Sequence, residues 1–130
     1  MKKIICAVLL LIALSVQAQK ATSGLQFCIS VNEEFQPVNT TNEITLRDEQ
    51  ANILYYYWNE IAISSPSLVY KTFAVDKVGK ETLSGTIVQT IQPAWRFVKQ
   101  TADFTKAGNY HIKVYNASGE ELASAMLTVK

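Results

Sequence analysis

Apolar and polar residues alternate with period two along most of the chain, and turn residues interrupt the alternation roughly every ten positions. β-Branched and aromatic side chains fill the alternating stretches. Strands are therefore predicted at residues 25–31, 43–47, 52–59, 67–75, 82–91, 94–102, 109–115 and 121–129. Asn32-Glu33-Glu34, Ser64-Ser65-Pro66-Ser67, Lys77-Val78-Gly79-Lys80, Gln92-Pro93 and Asn116-Ala117-Ser118-Gly119 read as breaks, because proline lacks an N–H and Asn, Ser and Gly favour turns. Residues 47–52 read as a turn or a single helical turn. Gly85, inside a strand, points to a bulge or a close backbone approach. No amphipathic helix interrupts the series, so the fold class is all-β: a two-sheet antiparallel sandwich of about 7–8 strands, with a closed lipocalin-like barrel as the nearest alternative.

The alternation is absent at the start. Lys2 and Lys3 precede an apolar run from Ile4 to Val16, and Val16-Gln17-Ala18 supplies a small-residue cleavage pattern. Residues 1–18 are predicted to be a secretory signal peptide, and residues 19–130 a single exported domain, periplasmic or extracellular. The apolar run is shorter than the roughly 20 residues needed to span a bilayer, so no stable membrane span is expected after cleavage. Cys6 would leave with the signal. Without Lys2 and Lys3 the 12 basic residues fall to 10 against 11 acidic ones, a charge near −1 with no blocks of one sign. That balance argues against a nucleic-acid partner.

Cys28 is then the one cysteine, in an oxidising compartment, and cannot close an internal disulfide. It reads as a buried thiol or as an exposed one that links two copies; a catalytic nucleophile is the third option. Other chemistry is sparse. His111 is the sole histidine and reads as a strand residue on a solvent face, and no His/Cys spacing suits zinc. The carboxylate pairs Glu33-Glu34 and Glu120-Glu121 fall at turns, where charge is ordinarily just solvated. No phosphate-cradling glycine loop and no serine with a placed base occur, so no enzyme, metal or cofactor is expected.

The one conspicuous cluster is "ILYYYWNE", Ile53 to Glu60. In a strand its four consecutive aromatics must put two on each face, so the pair away from the core is either covered or meets a partner. Leu54, Tyr56 and Trp58 are expected on the core side and Tyr55 and Tyr57 outward, joined by Tyr70 or Tyr115, with Asn59 and Gln89 as polar neighbours. The same tyrosines also read as simple β-formers whose cross-strand pairs contribute about 0.2–1 kcal/mol each. Small Ala123 and Ala125 on the last strand leave room for a large neighbour such as Trp95 or Trp58.

The stretch "FTKAGNYHIKVYNASGEELASAMLTV" resembles the last two strands of immunoglobulin-like domains in secreted bacterial proteins, where a glycine, one residue and a tyrosine open the penultimate strand. "LQFCISVN", "ILYYYWNE", "SLVYKTFAVD" and "PAWRFVKQTADF" resemble the preceding strands of small immunoglobulin-like proteins exported by Bacteroidota. The resemblance implies an immunoglobulin-like β-sandwich in which the hydroxyl of Tyr110 turns back onto upstream backbone. It lacks the cysteine pair of antibody domains. Two functions fit this reading. One is a non-enzymatic interaction module that binds an envelope protein, or itself, through a tyrosine-bearing face or an unpaired edge strand. The other is a carbohydrate-binding module that stacks sugars on exposed Tyr and Trp rings, with Tyr55, Tyr57, Asn59, Tyr70 and Tyr115 as binding residues.

Overall fold

A computed structural model describes residues 22–130; the predicted signal segment, with Cys6, lies outside the described residues. Ten strands follow in chain order: β1 (Ser23–Cys28), β2 (Ser30–Val31), β3 (Pro37–Val38), β4 (Glu43–Ile44), β5 (Ala51–Asn59), β6 (Ser67–Val75), β7 (Glu81–Thr90), β8 (Phe97–Phe104), β9 (Gly108–Asn116) and β10 (Glu121–Val129). They build a three-stranded sheet ordered β1-β5-β8, a five-stranded sheet ordered β4-β10-β9-β6-β7, and a small ribbon of β2 and β3. The two larger sheets form the predicted sandwich, antiparallel except for the short β4–β10 pair, which is parallel.

Where the alternation is regular the strands fall where it places them; the differences come from turns. The predicted strand 25–31 divides after Cys28, because Ile29 leaves the sheet and donates its N–H to Val38 O at 3.1 Å. Asn32 then closes the ribbon, its Oδ1 accepting from the N–H groups of Glu34 and Gln36. The 43–47 strand stops at Ile44. Arg47 to Gln50 form a tight turn with both central residues, Asp48 and Glu49, at positive φ (53° and 63°), the geometry of a type I′ hairpin turn. The strand predicted from residue 94 begins at Phe97, since Pro93 occupies the second position of a turn in which Trp95 N donates to Gln92 O. The irregularity expected at Gly85 is a bulge: Thr72 pairs with Gly85 and Phe73 with Leu83, leaving Ser84 over. Tyr110 donates its hydroxyl to Lys106 O at 2.7 Å, the corner the resemblance implies.

The orientation of β5 corrects the sequence reading. Register pairs Tyr57 with Leu25 and Tyr55 with Phe27, so these tyrosines stand on the inner face beside Ile53. They are 0% and 1% exposed. Burial of Tyr55 is tolerable because its hydroxyl is satisfied inside the core, whereas that of Tyr57 has no hydrogen-bond partner among the described residues. Tyr55 OH meets Thr72 Oγ1 at 3.2 Å, and its ring packs against Phe27 and Tyr70 with centroids 5.6 and 5.7 Å apart. Leu54, Tyr56 and Trp58 face outward instead. This outer face is half covered: Tyr56, 4% exposed, lies under the β2–β3 ribbon and donates to Phe35 O at 2.7 Å. Trp58 lies flat against the bare backbone of Gly24, where an added Cβ would come within 2.6 Å of the indole Nε1. The space beside Ala125 is taken by β1, whose Leu25 and Phe27 line the same cleft, and not by a tryptophan.

Cys28 is buried without residual exposure on the outer face beneath the ribbon, the first of the readings made from sequence. Burial pushes its thiol pKa up, the reverse of what an activated nucleophile or a readily exchanged disulfide partner requires.

Candidate functional site

The residues proposed from sequence do not converge. Tyr55, Tyr57 and Tyr70 are enclosed in the core, so their rings cannot stack on a ligand. Asn59 ends β5, and its N–H is held by Arg96 O at 2.8 Å. Tyr115 lies on the outer face of the other sheet, where the Lys71 ammonium sits 5.0 Å from its ring centre. That outer face also holds His111. Glu81 accepts from His111 Nδ1 at 2.7 Å and pairs with Lys113 at 3.3 Å. The His111 hydrogen bond, followed by Lys113, holds the Glu81 carboxyl below the usual range. This is a cross-strand charge cluster of the kind that stabilises an exposed sheet face. Among the described residues no group of three or more His, Cys, Asp or Glu side chains is placed to hold a metal ion.

The structure instead gathers candidate features along one flank, where Gln89 of β7 reaches across to Lys99 of β8. A hydrogen-bonded relay ties the two sheets here. Tyr70 OH donates to Gln89 Oε1 at 2.6 Å, and Gln89 Nε2 donates to Lys99 O at 2.9 Å. Gln89, expected as a polar ligand contact, therefore has both ends of its amide engaged within the protein.

The four sheet edges differ in how they are finished. An unpaired edge offers a row of N–H and C=O groups to any passing strand, and proteins usually blunt it. On β8, Lys99 O and Thr101 O accept from the side-chain amides of Gln89 and Gln100. On β1, Phe27 O accepts from Thr41 N, and Ser23 Oγ donates to Leu122 O of β10. β4 is two residues long. β7 is ten residues long, carries Glu81 as its single ionisable residue, and among the described residues receives no side-chain hydrogen bond to its backbone. Its outward Leu83 and Val88 are 53% and 67% exposed. It contains neither the lysine nor the proline by which sheets commonly deter pairing.

Beside the C-terminal end of β7 opens an apolar groove of about 540 Å³ lined by Phe35, Gln89, Trp95, Arg96, Phe97, Val98 and Lys99. Three of its aromatic rings are substantially exposed: Trp95 at 45%, Phe35 at 42% and Phe97 at 37%. Each reaches it for a local reason. Phe35 is held at φ 60° at the tip of the Asn32 turn, Trp95 is the last residue of the Pro93 turn, and Phe97 opens β8 on its outer face. The Phe97 ring stacks on Tyr56 with centroids 6.3 Å apart, and the Arg96 guanidinium lies 5.5 Å from its centre. Sequence reading kept Trp95 for the core; the signal that frees it is Pro93, at the second position of a four-residue turn that starts at Gln92.

No protein-family model matches the sequence, and no curated protein does. Among solved structures, an immunoglobulin-like protein from Pseudomonas aeruginosa superposes with a TM-score of 0.53 at 14% identity, over 86% of this chain and 99% of that one. The CARDB domain of a Pyrococcus furiosus protein, solved in complex with di-metal ions, superposes with a TM-score of 0.45 at 15% identity, over 85% of this chain and 92% of that one. The first likeness shows the fold: this chain is an immunoglobulin-like β-sandwich.

Proposed function

We propose that this protein is an exported, non-enzymatic interaction module that takes an extended segment of an envelope partner onto the free edge of β7. The observation that carries the reading is the contrast among edges: β1 is partly covered, β4 is two residues long and β8 has two carbonyls capped, whereas β7, ten residues with one bulge at Ser84, receives no side-chain hydrogen bond to its backbone among the described residues. Strand addition draws affinity from main-chain hydrogen bonds and needs little from side chains. The signal pattern at residues 1–18 supports export. Catalysis finds no support in a histidine already paired with Glu81 and a cysteine sealed with a raised pKa. Burial of Tyr55, Tyr57 and Tyr70 removes the ring platform on which the glycan reading relied.

Site-specific photo-cross-linking in the cell of origin tests the proposal. A benzoylphenylalanine at Val88 is expected to give a cross-link that maps by mass spectrometry to one short segment of one partner. The same probe at Val78, 88% exposed in the turn that precedes β7, is expected to give none. Adding Leu83→Lys and Thr86→Lys should weaken the Val88 cross-link about tenfold while moving stability by no more than about 0.5 kcal/mol per site. Equal yields from Val88 and Val78, or a Val88 cross-link indifferent to the lysines, would contradict it.

A further inference from the structure

The groove at the end of β7 has a chemistry of its own. Its floor and walls are aromatic, and its two charged liners, Arg96 and Lys99, are both cationic. Neither takes part in the ion pairs found among the described residues, which join His111 and Lys113 to Glu81 and Lys130 to Glu43. Among the described residues no carboxylate lines the groove; Glu33 and Glu34 lie on the turn before Phe35 and are not among its walls. A chain with 12 basic and 11 acidic residues thus presents, at one apolar hollow, only unpaired positive charge. The hollow is also continuous with the proposed docking edge, since Gln89 belongs both to β7 and to its lining.

Resting on that reading of β7, we infer that the groove selects the partner: the docked segment carries an aromatic side chain flanked by carboxylates, the ring seated among Phe35, Trp95 and Phe97 and the acids facing Arg96 and Lys99. The main chain of β7 supplies affinity that any extended peptide can use. The groove supplies the discrimination, because an apolar ring is drawn from water and a basic flank would meet two uncompensated cations. A guanidinium beside the Phe97 ring can receive a carboxylate through paired N–H donors.

Three decapeptide amides test this, alike in alternating valine and threonine and in a central phenylalanine, with that phenylalanine flanked by glutamates, glutamines or lysines. Each is titrated into the purified protein, and backbone amides of β7 and the indole N–H of Trp95 are followed by NMR. The glutamate peptide is expected to bind about tenfold more tightly than the glutamine peptide, with the lysine peptide weaker still, the size of a lost charge-assisted contact. Arg96→Gln with Lys99→Gln should level the first two while the β7 shifts persist. If all three peptides shift β7 with equal affinity, the selection inference is overturned and the edge reading stands. If the glutamate peptide moves Trp95 but not β7, the groove stands and the edge reading is overturned. If no peptide binds, or if only a soluble hexasaccharide control moves Trp95, both fail.

Discussion

Replacing Tyr57 by alanine is expected to remove about 3–5 kcal/mol of folding stability, the usual cost of deleting a large ring from a packed core. Tyr57 is fully enclosed, paired with Leu25 on one strand and Val98 on the next. Domains of this size have about 5–15 kcal/mol in total, so the variant would stand near the edge of folding. Tyr55→Ala belongs to the same class, since its ring is wedged between Phe27 and Tyr70. Tyr57→Phe separates packing from polarity. The Tyr57 hydroxyl is buried with no hydrogen-bond partner among the described residues, while the neighbouring Ser23 hydroxyl donates to Leu122 O. Losing that hydroxyl should therefore leave stability unchanged or raise it slightly, whereas Tyr70→Phe should cost about 1 kcal/mol by unpairing Gln89 Oε1. Urea unfolding of the four variants measures all of this; a Tyr57→Ala loss below about 1 kcal/mol would show that the ring is not core.

Alkaline titration should give an effect of comparable size. Desolvation by burial is the main force on both inner tyrosines: it pushes the Tyr55 phenol up to about 12, against a smaller opposing pull from the Thr72 hydrogen bond, and it pushes Tyr70 up further. A pKa raised in the folded state means that the unfolded chain releases its proton first. The stabilisation is therefore complete below pH 10 and is lost as pH climbs from about 10 towards 12. For Tyr55 alone the loss is on the order of 3 kcal/mol, with Tyr70 acting in the same direction. Tyrosinate absorbance and circular dichroism followed together should show the buried tyrosines ionising only as the sheet signal disappears. Ionisation of all six tyrosines near pH 10 with the sheet signal intact would contradict the core assignment.

Most of the strand map was legible because period two is a strong constraint wherever one face is buried and the other wet. β6, β9 and β10 show this plainly, with Leu68, Tyr70 and Thr72, or Tyr110, Ile112 and Val114, facing inward in turn. β5 was ambiguous for a physical reason. Both of its faces carry large amphipathic rings, so alternation fixes which residues share a face but not which face is inside. The tie is broken by residues distant in sequence: Thr72 meets the Tyr55 hydroxyl on the inner face, and the Asn32 ribbon covers Tyr56 from outside. Periodicity within one strand holds no trace of either. The groove was hidden in the same way, because Trp95, Phe97 and Phe35 come from a turn, a strand end and a ribbon tip that only the fold brings together. The bare edge of β7 was nearer the surface of the sequence: "ETLSGTIVQT" contains one charge, no lysine and no proline, which reads as a strand but gives its edge position only once the sheet order is known.

Amide hydrogen exchange along β7 in the complex recovered through the Val88 cross-link, compared with the free protein, tests strand addition itself and not mere proximity. Edge amides open to water exchange quickly, and a newly paired strand slows them. The expected result is alternate protection of the β7 amides on either side of the Ser84 bulge, with β8 unchanged because the added strand pairs only with β7. Amides of β7 that exchange at free-protein rates in the complex, with protection arising elsewhere, would contradict the proposal that this edge is where the protein meets its partner.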